Sequence, residues 1–339
     1  MSRRARRAGL AALVAILAVA TGCTTTPPPA GTADDHAGLD ALQPRDHPVE
    51  AWQPEPLRAG ERRLELTIPT SYTPRAPYGA GTDDYHCFLL DPQLTQDVFL
   101  TGTFVRPDNT DVVHHVILFQ VPPEDVARAQ ELDARSATEG WTCFGDSGLT
   151  RGPALDSALA GRLGTGSQGS GRGPGYGVRL AAGTQIVMQV HYNLLGGTGP
   201  DASSTLLRVA PATPDMRSVE TMLLPAPVEL PCRPAHAAGP LCDRDAAVAD
   251  VVRRFGGDGN TANLLHLLCG GEIRPGNTQS CTRTVTEPTT IRGVAGHMHL
   301  LGRSMSIVVN PGTPTERTIL DIPLWNLTTR APSRSSRCT

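Results

Sequence analysis

The run Asp111 to Val121 (DVVHHVILFQV) is apolar on both faces, so it reads as a strand covered on both sides. Two adjacent histidines, His114 and His115, stand inside it. A second strand-like segment, Met188-Gln189-Val190-His191-Tyr192-Asn193, carries His191. A third, Gly296-His297-Met298-His299-Leu300-Leu301-Gly302, carries two more, spaced two apart. Five of the 10 histidines in the 339-residue chain therefore fall in three short segments, and a fold has to find partners for them. Side chains alternate across a strand, so His297 and His299 share a face and can reach one metal ion. His114 and His115 diverge in a regular strand and share an ion only at a bulge or a strand end. His191 then supplies a third ligand from a neighbouring strand. Three neutral imidazoles suit copper or zinc. Any one of these histidines alone reads more simply as a satisfied core residue or an exposed one; the joint pattern points to metal.

Glycine (35) and proline (30) interrupt the chain so often that short strands and loops are favoured over long helices. Strands are expected at 63–68, 83–90, 97–106, 111–121, 178–195 with a break at Gly183-Thr184, 204–210, 219–230 and 282–309. Pro122 to Ala137 has helical spacing, and 161–177 is a Gly/Ser-rich loop. Asp243 to Arg254 is the best helix, with Asp243 as its cap and Ala247, Val248, Val251 and Val252 on one stripe. It reads as an insertion between strands. The expected fold is all-β, two jelly-roll-like β-sandwich domains over residues 57–212 and 213–326.

The N-terminus reads as an export signal. Arg3, Arg4, Arg6 and Arg7 precede an apolar segment, Leu10 to Ala20, too short to span a bilayer comfortably. Ala20-Thr21-Gly22-Cys23 looks like a bacterial lipobox, which makes 1–23 a lipoprotein signal peptide and Cys23 a lipidation site. Residues 24–56, rich in Thr, Pro, Ala and Asp, then form a disordered tether. The expected location is extracytoplasmic, held at the membrane by the lipid on Cys23. A pI near 6.4 with 19% charged residues argues against nucleic acid as a partner. Cysteine metal sites need clustered spacings that this chain lacks, and export permits disulfides. For Cys232, Cys242, Cys269 and Cys281, pairing of nearest neighbours gives Cys232–Cys242 and Cys269–Cys281, one of three connectivities.

Val113-His114-His115-Val116-Ile117-Leu118-Phe119, Gln189-Val190-His191-Tyr192 and His297-Met298-His299-Leu300-Leu301-Gly302 together resemble the type II copper, ascorbate-dependent monooxygenases. That family includes peptidylglycine α-hydroxylating monooxygenase and dopamine β-monooxygenase. The resemblance runs from about Arg63 to Trp325 in matching order. It implies that His114, His115 and His191 hold a first copper that stores and delivers an electron. It implies that His297 and His299 hold a second copper, the catalytic one, where O2 and a substrate C–H bond meet. The two ions would face each other across an open interdomain cleft. The reductant would be ascorbate or another external donor. Gln189 and Tyr85 match family positions near the first copper, and a Tyr-x-Cys strand implies a Cys87–Cys143 disulfide.

Several positions depart from the family. Its second copper takes a methionine from an Asp-Glu-Met-Cys segment, and this chain has none. Met298 points away from both histidines in a strand, and Met305 lies six residues beyond His299, so both read as packing residues. Ala295 stands where peptide hydroxylases carry an arginine, Val116 replaces a methionine and Val121 a cysteine, so a peptide substrate is not expected. After Asn326 the sequence becomes an Arg/Ser/Thr-rich tail, 327–339, without hydrophobic alternation. That switch suggests a reading-frame change, an incomplete second sandwich, and Cys338 as the cysteine left over. The leading expectation is a copper monooxygenase acting on an unknown substrate. The alternative is a copper-binding lipoprotein without catalysis, because the second site lacks its methionine. A zinc or structural metal protein ranks third.

Overall fold

A computed structural model describes residues 53–79, 81–149, 159–164, 173–294, 296–298 and 301–324. The signal peptide with Cys23, the tether up to residue 52, Ala295, His299 and the tail 327–339 lie outside the described residues. The described part is all-β in character, with twelve strands and three short α-helices.

Ten strands make two five-stranded sheets. One contains β1 (Arg62–Thr67), β3 (Val98–Arg106), β7 (Tyr176–Leu180), β9 (Ser204–Pro211) and β10 (Arg217–Ser218), in the order β1-β9-β3-β7-β10. The other contains β2 (Asp83–Leu90), β4 (Val113–Val121), β5 (Trp141–Thr142), β6 (Leu159–Gly164) and β8 (Gln185–Asn193), in the order β5-β2-β8-β4-β6. All pairings are antiparallel except the short contact of β10 with β7. The sheets share one core, in which Leu100, Val178, Leu180 and Leu207 meet Phe88, Leu118, Ile186 and Met188. Period-two alternation explains the selection: Ile186, Met188, Val190 and Tyr192 of β8 face this core, and Val187, Gln189 and His191 face away from it.

The outward face of the second sheet is covered as well. Helix α1 (Val126–Arg135) and the segment around Trp141 pack Ala129, Trp141 and Cys143 onto Cys87, Phe119, Val121 and Val187. The Cys87–Cys143 disulfide pins this cover to β2. Gly140 (φ 79°) is required where β5 meets β2, because a Cβ there would lie 2.3 Å from the Cys87 carbonyl oxygen.

From residue 213 onward the described residues contribute β10, the helices α2 (Arg244–Phe255) and α3 (Thr261–Cys269), and a two-stranded sheet of β11 (Met305–Val309) and β12 (Arg317–Ile322). Cys232–Cys242 and Cys269–Cys281 are disulfides. Asp243 caps α2, its carboxylate accepting from the Ala246 amide at 2.8 Å.

Several expectations are corrected. Residues 219–230 form no strand: Pro225, Pro227 and Pro231 lack the N–H groups that a ladder needs. Among the described residues of 282–309 only Met305–Val309 is strand, since glycines and a proline interrupt a stretch without alternation. The loop expected at 161–177 begins as β6, whose backbone pairs with β4 at the sheet edge although its sequence carries no strand pattern. Arg217–Ser218 still pairs with β7, so the first sandwich reaches beyond residue 212. Helix α3 was not expected. No helix among the described residues is long and apolar enough to cross a membrane.

Candidate metal centre

The centre sits on the covered face of the second sheet, where β4, β8 and β2 run side by side. In the β4–β8 ladder Val113 pairs with Tyr192 and His115 pairs with His191, so His114 is one extra residue. This is a β-bulge, and it removes the obstacle that adjacency presents. The bulge turns His114 toward the same side as His115, which shares the parity of Ile117 and Phe119.

The three rings converge through one kind of atom. Nδ1 of His114 lies 3.1 Å from Nδ1 of His115 and 3.1 Å from Nδ1 of His191, and the third edge, His191 to His115, is 3.3 Å. An ion bound tetrahedrally at about 2.0–2.1 Å holds its ligand nitrogens roughly 3.3 Å apart, so the triangle fits a small transition-metal ion. His115 and His191 are only 4% and 3% exposed, which keeps competing water off the donors; His114 is half-buried. With each ring proton on Nε2 the Nδ1 lone pairs face one another, an arrangement that a cation stabilises.

The surroundings fix His191 most firmly. Its Nε2 lies 2.8 Å from Oδ1 of Asp83, the first residue of β2. Tyr85, its cross-strand partner, stacks flat on it with ring centroids 4.0 Å apart and planes at 11°. Phe144 and Phe255 meet Tyr85 edge-on at 4.9 and 5.5 Å and stack on each other at 4.8 Å. Phe255 is the last residue of α2, so the inserted helix closes this aromatic cover. Burial, reinforced by the charge of Asp83, pushes the Tyr85 phenol well above its ordinary range and keeps it neutral.

Gln189 shares the face of His191 and is fully buried. Its amide donates to the Asp146 carbonyl at 2.8 Å and to Sγ of Cys143 at 3.2 Å. It thereby ties the 143–149 segment to the sheet floor. Its amide nitrogen is directed to that segment and not to an imidazole.

The third histidine segment is irregular where it is described. His297 nevertheless reaches the cluster: its ring lies edge-on to His115, centroids 4.7 Å apart. His299 lies outside the described residues. Gly296 presses on the β11–β12 sheet so closely that a Cβ would come within 2.7 Å of Ile322 Cδ1 and 2.8 Å of the Met305 sulfur. Met305 thus packs beside Gly296, Ile322 and Leu320.

Sequence reading missed Asp83 and Phe255. Asp83 precedes Tyr85 by two residues, so strand parity alone would have set it on the histidine face. Phe255 has no comparable local signal, because its contact depends on how α2 docks. No protein-family model matches this sequence, and a comparison with curated proteins gives no match.

Proposed function

We propose that this chain is an exported copper protein of the ascorbate-dependent monooxygenase class, which uses O2 and an external reductant to hydroxylate a C–H bond of a small substrate. The observation that carries the reading is the triangle of Nδ1 atoms of His114, His115 and His191, with edges of 3.1, 3.1 and 3.3 Å. Three neutral imidazoles stabilise both Cu(I) and Cu(II), and the resemblance of all three histidine motifs favours copper over zinc. Three disulfides support an oxidising compartment, in keeping with lipid attachment at Cys23.

Bound copper supplies one-electron cycling and activation of O2. The protein's part is to hold, orient and shield. His114, His115 and His191 fix the first ion on rigid strands. Tyr85, Phe144 and Phe255 exclude water from the ring of His191. His297, with His299, is the donor set for the second ion, and the contact of the His297 ring with His115 supports a place for it near the first.

A second reading, copper binding without catalysis, is favoured by the placement of Met305. Its sulfur packs against Gly296 among Ile322 and Leu320, an apolar setting that suits a core thioether better than a ligand. One experiment separates the two. The purified chain is loaded with copper, the bound ions are counted, and ascorbate-dependent O2 uptake is followed. Two ions with uptake support the monooxygenase; one ion without uptake supports the binder. A preparation that holds zinc and refuses copper overturns both.

A further inference from the structure

We infer that Asp83 is the positioning residue of the metal centre: its carboxylate holds His191 in the tautomer that presents Nδ1 to the ion, and its charge strengthens that imidazole as a donor. The inference rests on the metal-centre reading above and adds a residue to which that reading gives no role.

The geometry is specific. Oδ1 of Asp83 lies 2.8 Å from Nε2 of His191, and its other oxygen, Oδ2, accepts from the Thr82 hydroxyl at 3.0 Å. Both carboxylate oxygens are therefore engaged, and the group cannot swing away without losing two hydrogen bonds. A carboxylate only accepts, so the proton of a neutral His191 ring stays on Nε2. Nδ1 then carries the lone pair, and Nδ1 is the atom that meets His114 and His115 at 3.1 and 3.3 Å. Tyr85, stacked on the same ring, prevents it from flipping to exchange the two nitrogens.

The chain Thr82–Asp83–His191 thus does for one ligand what an outer carboxylate does for metal-bound histidines generally: it fixes ring orientation and raises donor strength. Negative charge behind the ring favours the more highly charged ion, so Asp83 stabilises Cu(II) more than Cu(I). Strand parity makes the arrangement possible. Asp83 and Tyr85 stand two apart on one face of β2, opposite Asn193 and His191 of β8.

The test uses the full chain with Asp83→Asn and Asp83→Ala. Asparagine keeps the shape and an acceptor but removes the charge; alanine removes both. In metal-free protein, nitrogen NMR of the His191 ring is expected to show one Nε2–H tautomer in the wild type and in Asp83→Asn, and a mixture in Asp83→Ala. Competition titrations with Cu(II) and Cu(I) are expected to show a loss of about 10–100-fold for Cu(II) in both variants, and a smaller loss for Cu(I). Wild-type protein that binds Cu(II) while both variants bind it as tightly, with an unchanged tautomer, overturns the role of Asp83 alone. Wild-type protein that takes up neither ion overturns the metal-centre reading and the role of Asp83 with it.

Discussion

His297 stands edge-on to His115, ring centroids 4.7 Å apart and planes at 84°, and so links an irregular segment to a bulged strand far back in the chain. A second anchor steadies that segment. The Arg292 guanidinium donates to the Tyr176 hydroxyl at 2.7 Å and lies over the same ring. The chain is therefore attached to the first sandwich at His297 and again at Arg292, just before the third histidine motif. His297 packs beside the triangle without belonging to it. Replacing it with alanine is expected to leave one copper on His114, His115 and His191 and to remove the second. Ion counting on the copper-loaded variant checks this; loss of both ions would mean that the His115 contact, and not the triangle, organises the centre.

Metal removal gives a second prediction. An ion that binds only the folded chain stabilises it by about 2.7 kcal/mol when present at roughly 100 times its dissociation constant. For a chain of this size that corresponds to a rise in melting temperature on the order of 5 °C. Chelator-stripped protein is expected to melt lower by this amount and to recover on addition of copper. In His191→Ala the part of the copper-dependent shift that belongs to the first ion should be lost, because the triangle loses the ring that Asp83 and Tyr85 hold in place. A shift of undiminished size in this variant would place the stabilising ion elsewhere.

Much of the first sandwich was legible in the sequence, because most of its strands are apolar or alternating runs bounded by turn residues. β8 shows how far this goes. Its apolar residues split cleanly between two faces, and His191 follows the parity of Gln189. A bulge or a strand end at His114 was legible as a necessity, since adjacent imidazoles cannot otherwise converge; that it is a bulge has no local signal. The part from 213 onward was far less legible. Apolar residues such as Leu223, Leu224 and Leu230 suggested a strand, yet they remain exposed and the prolines among them prevent a ladder. Hydrophobic content reports what a segment could bury. It does not report whether a neighbouring strand is there to bury it.

The disulfides differ in what they hold. Cys87 and Cys143 are both buried, span 56 residues and support the Gln189 amide. Closing a loop of that length stabilises a chain by about 4 kcal/mol in the entropic picture. Changing both cysteines to alanine is expected to cost roughly 2–5 kcal/mol and to weaken copper binding, because Tyr85 and Asp83 share strand β2 with Cys87. The pair Cys232–Cys242 spans only 10 residues in an exposed region. Its removal is expected to cost less and to leave copper affinity unchanged. Denaturant unfolding and copper titration of the two double variants, side by side, test the contrast; equal effects on copper would refute it.

The segment that carries the Cys232–Cys242 and Cys269–Cys281 disulfides, residues 225–281, is organised by one carboxylate. Glu229 Oε1 accepts from the Arg244 guanidinium at 2.8 and 2.7 Å and lies 2.8 Å from Nε2 of His266. Its backbone carbonyl accepts from the Gly276 amide at 2.7 Å. Glu229 is 8% exposed, so the arrangement is screened little by water. The Arg244 hydrogen bonds hold its carboxyl below the ordinary value of 4.5, with His266 adding to the effect against the opposing influence of burial. The unfolded chain therefore takes up this proton before the folded one does. The stabilisation is complete above about pH 4.5 and is lost as pH falls through the lowered folded value. Glu229→Gln keeps the shape and discards the charge, and is expected to cost about 2 kcal/mol at neutral pH. Thermal melts of both proteins from neutral pH downward should converge as the pH falls through the lowered folded value, where the wild-type carboxylate takes up its proton. A difference that stays constant across the range would show that the amide fails for reasons of fit, and that charge on Glu229 does not secure the contact between α2 and α3.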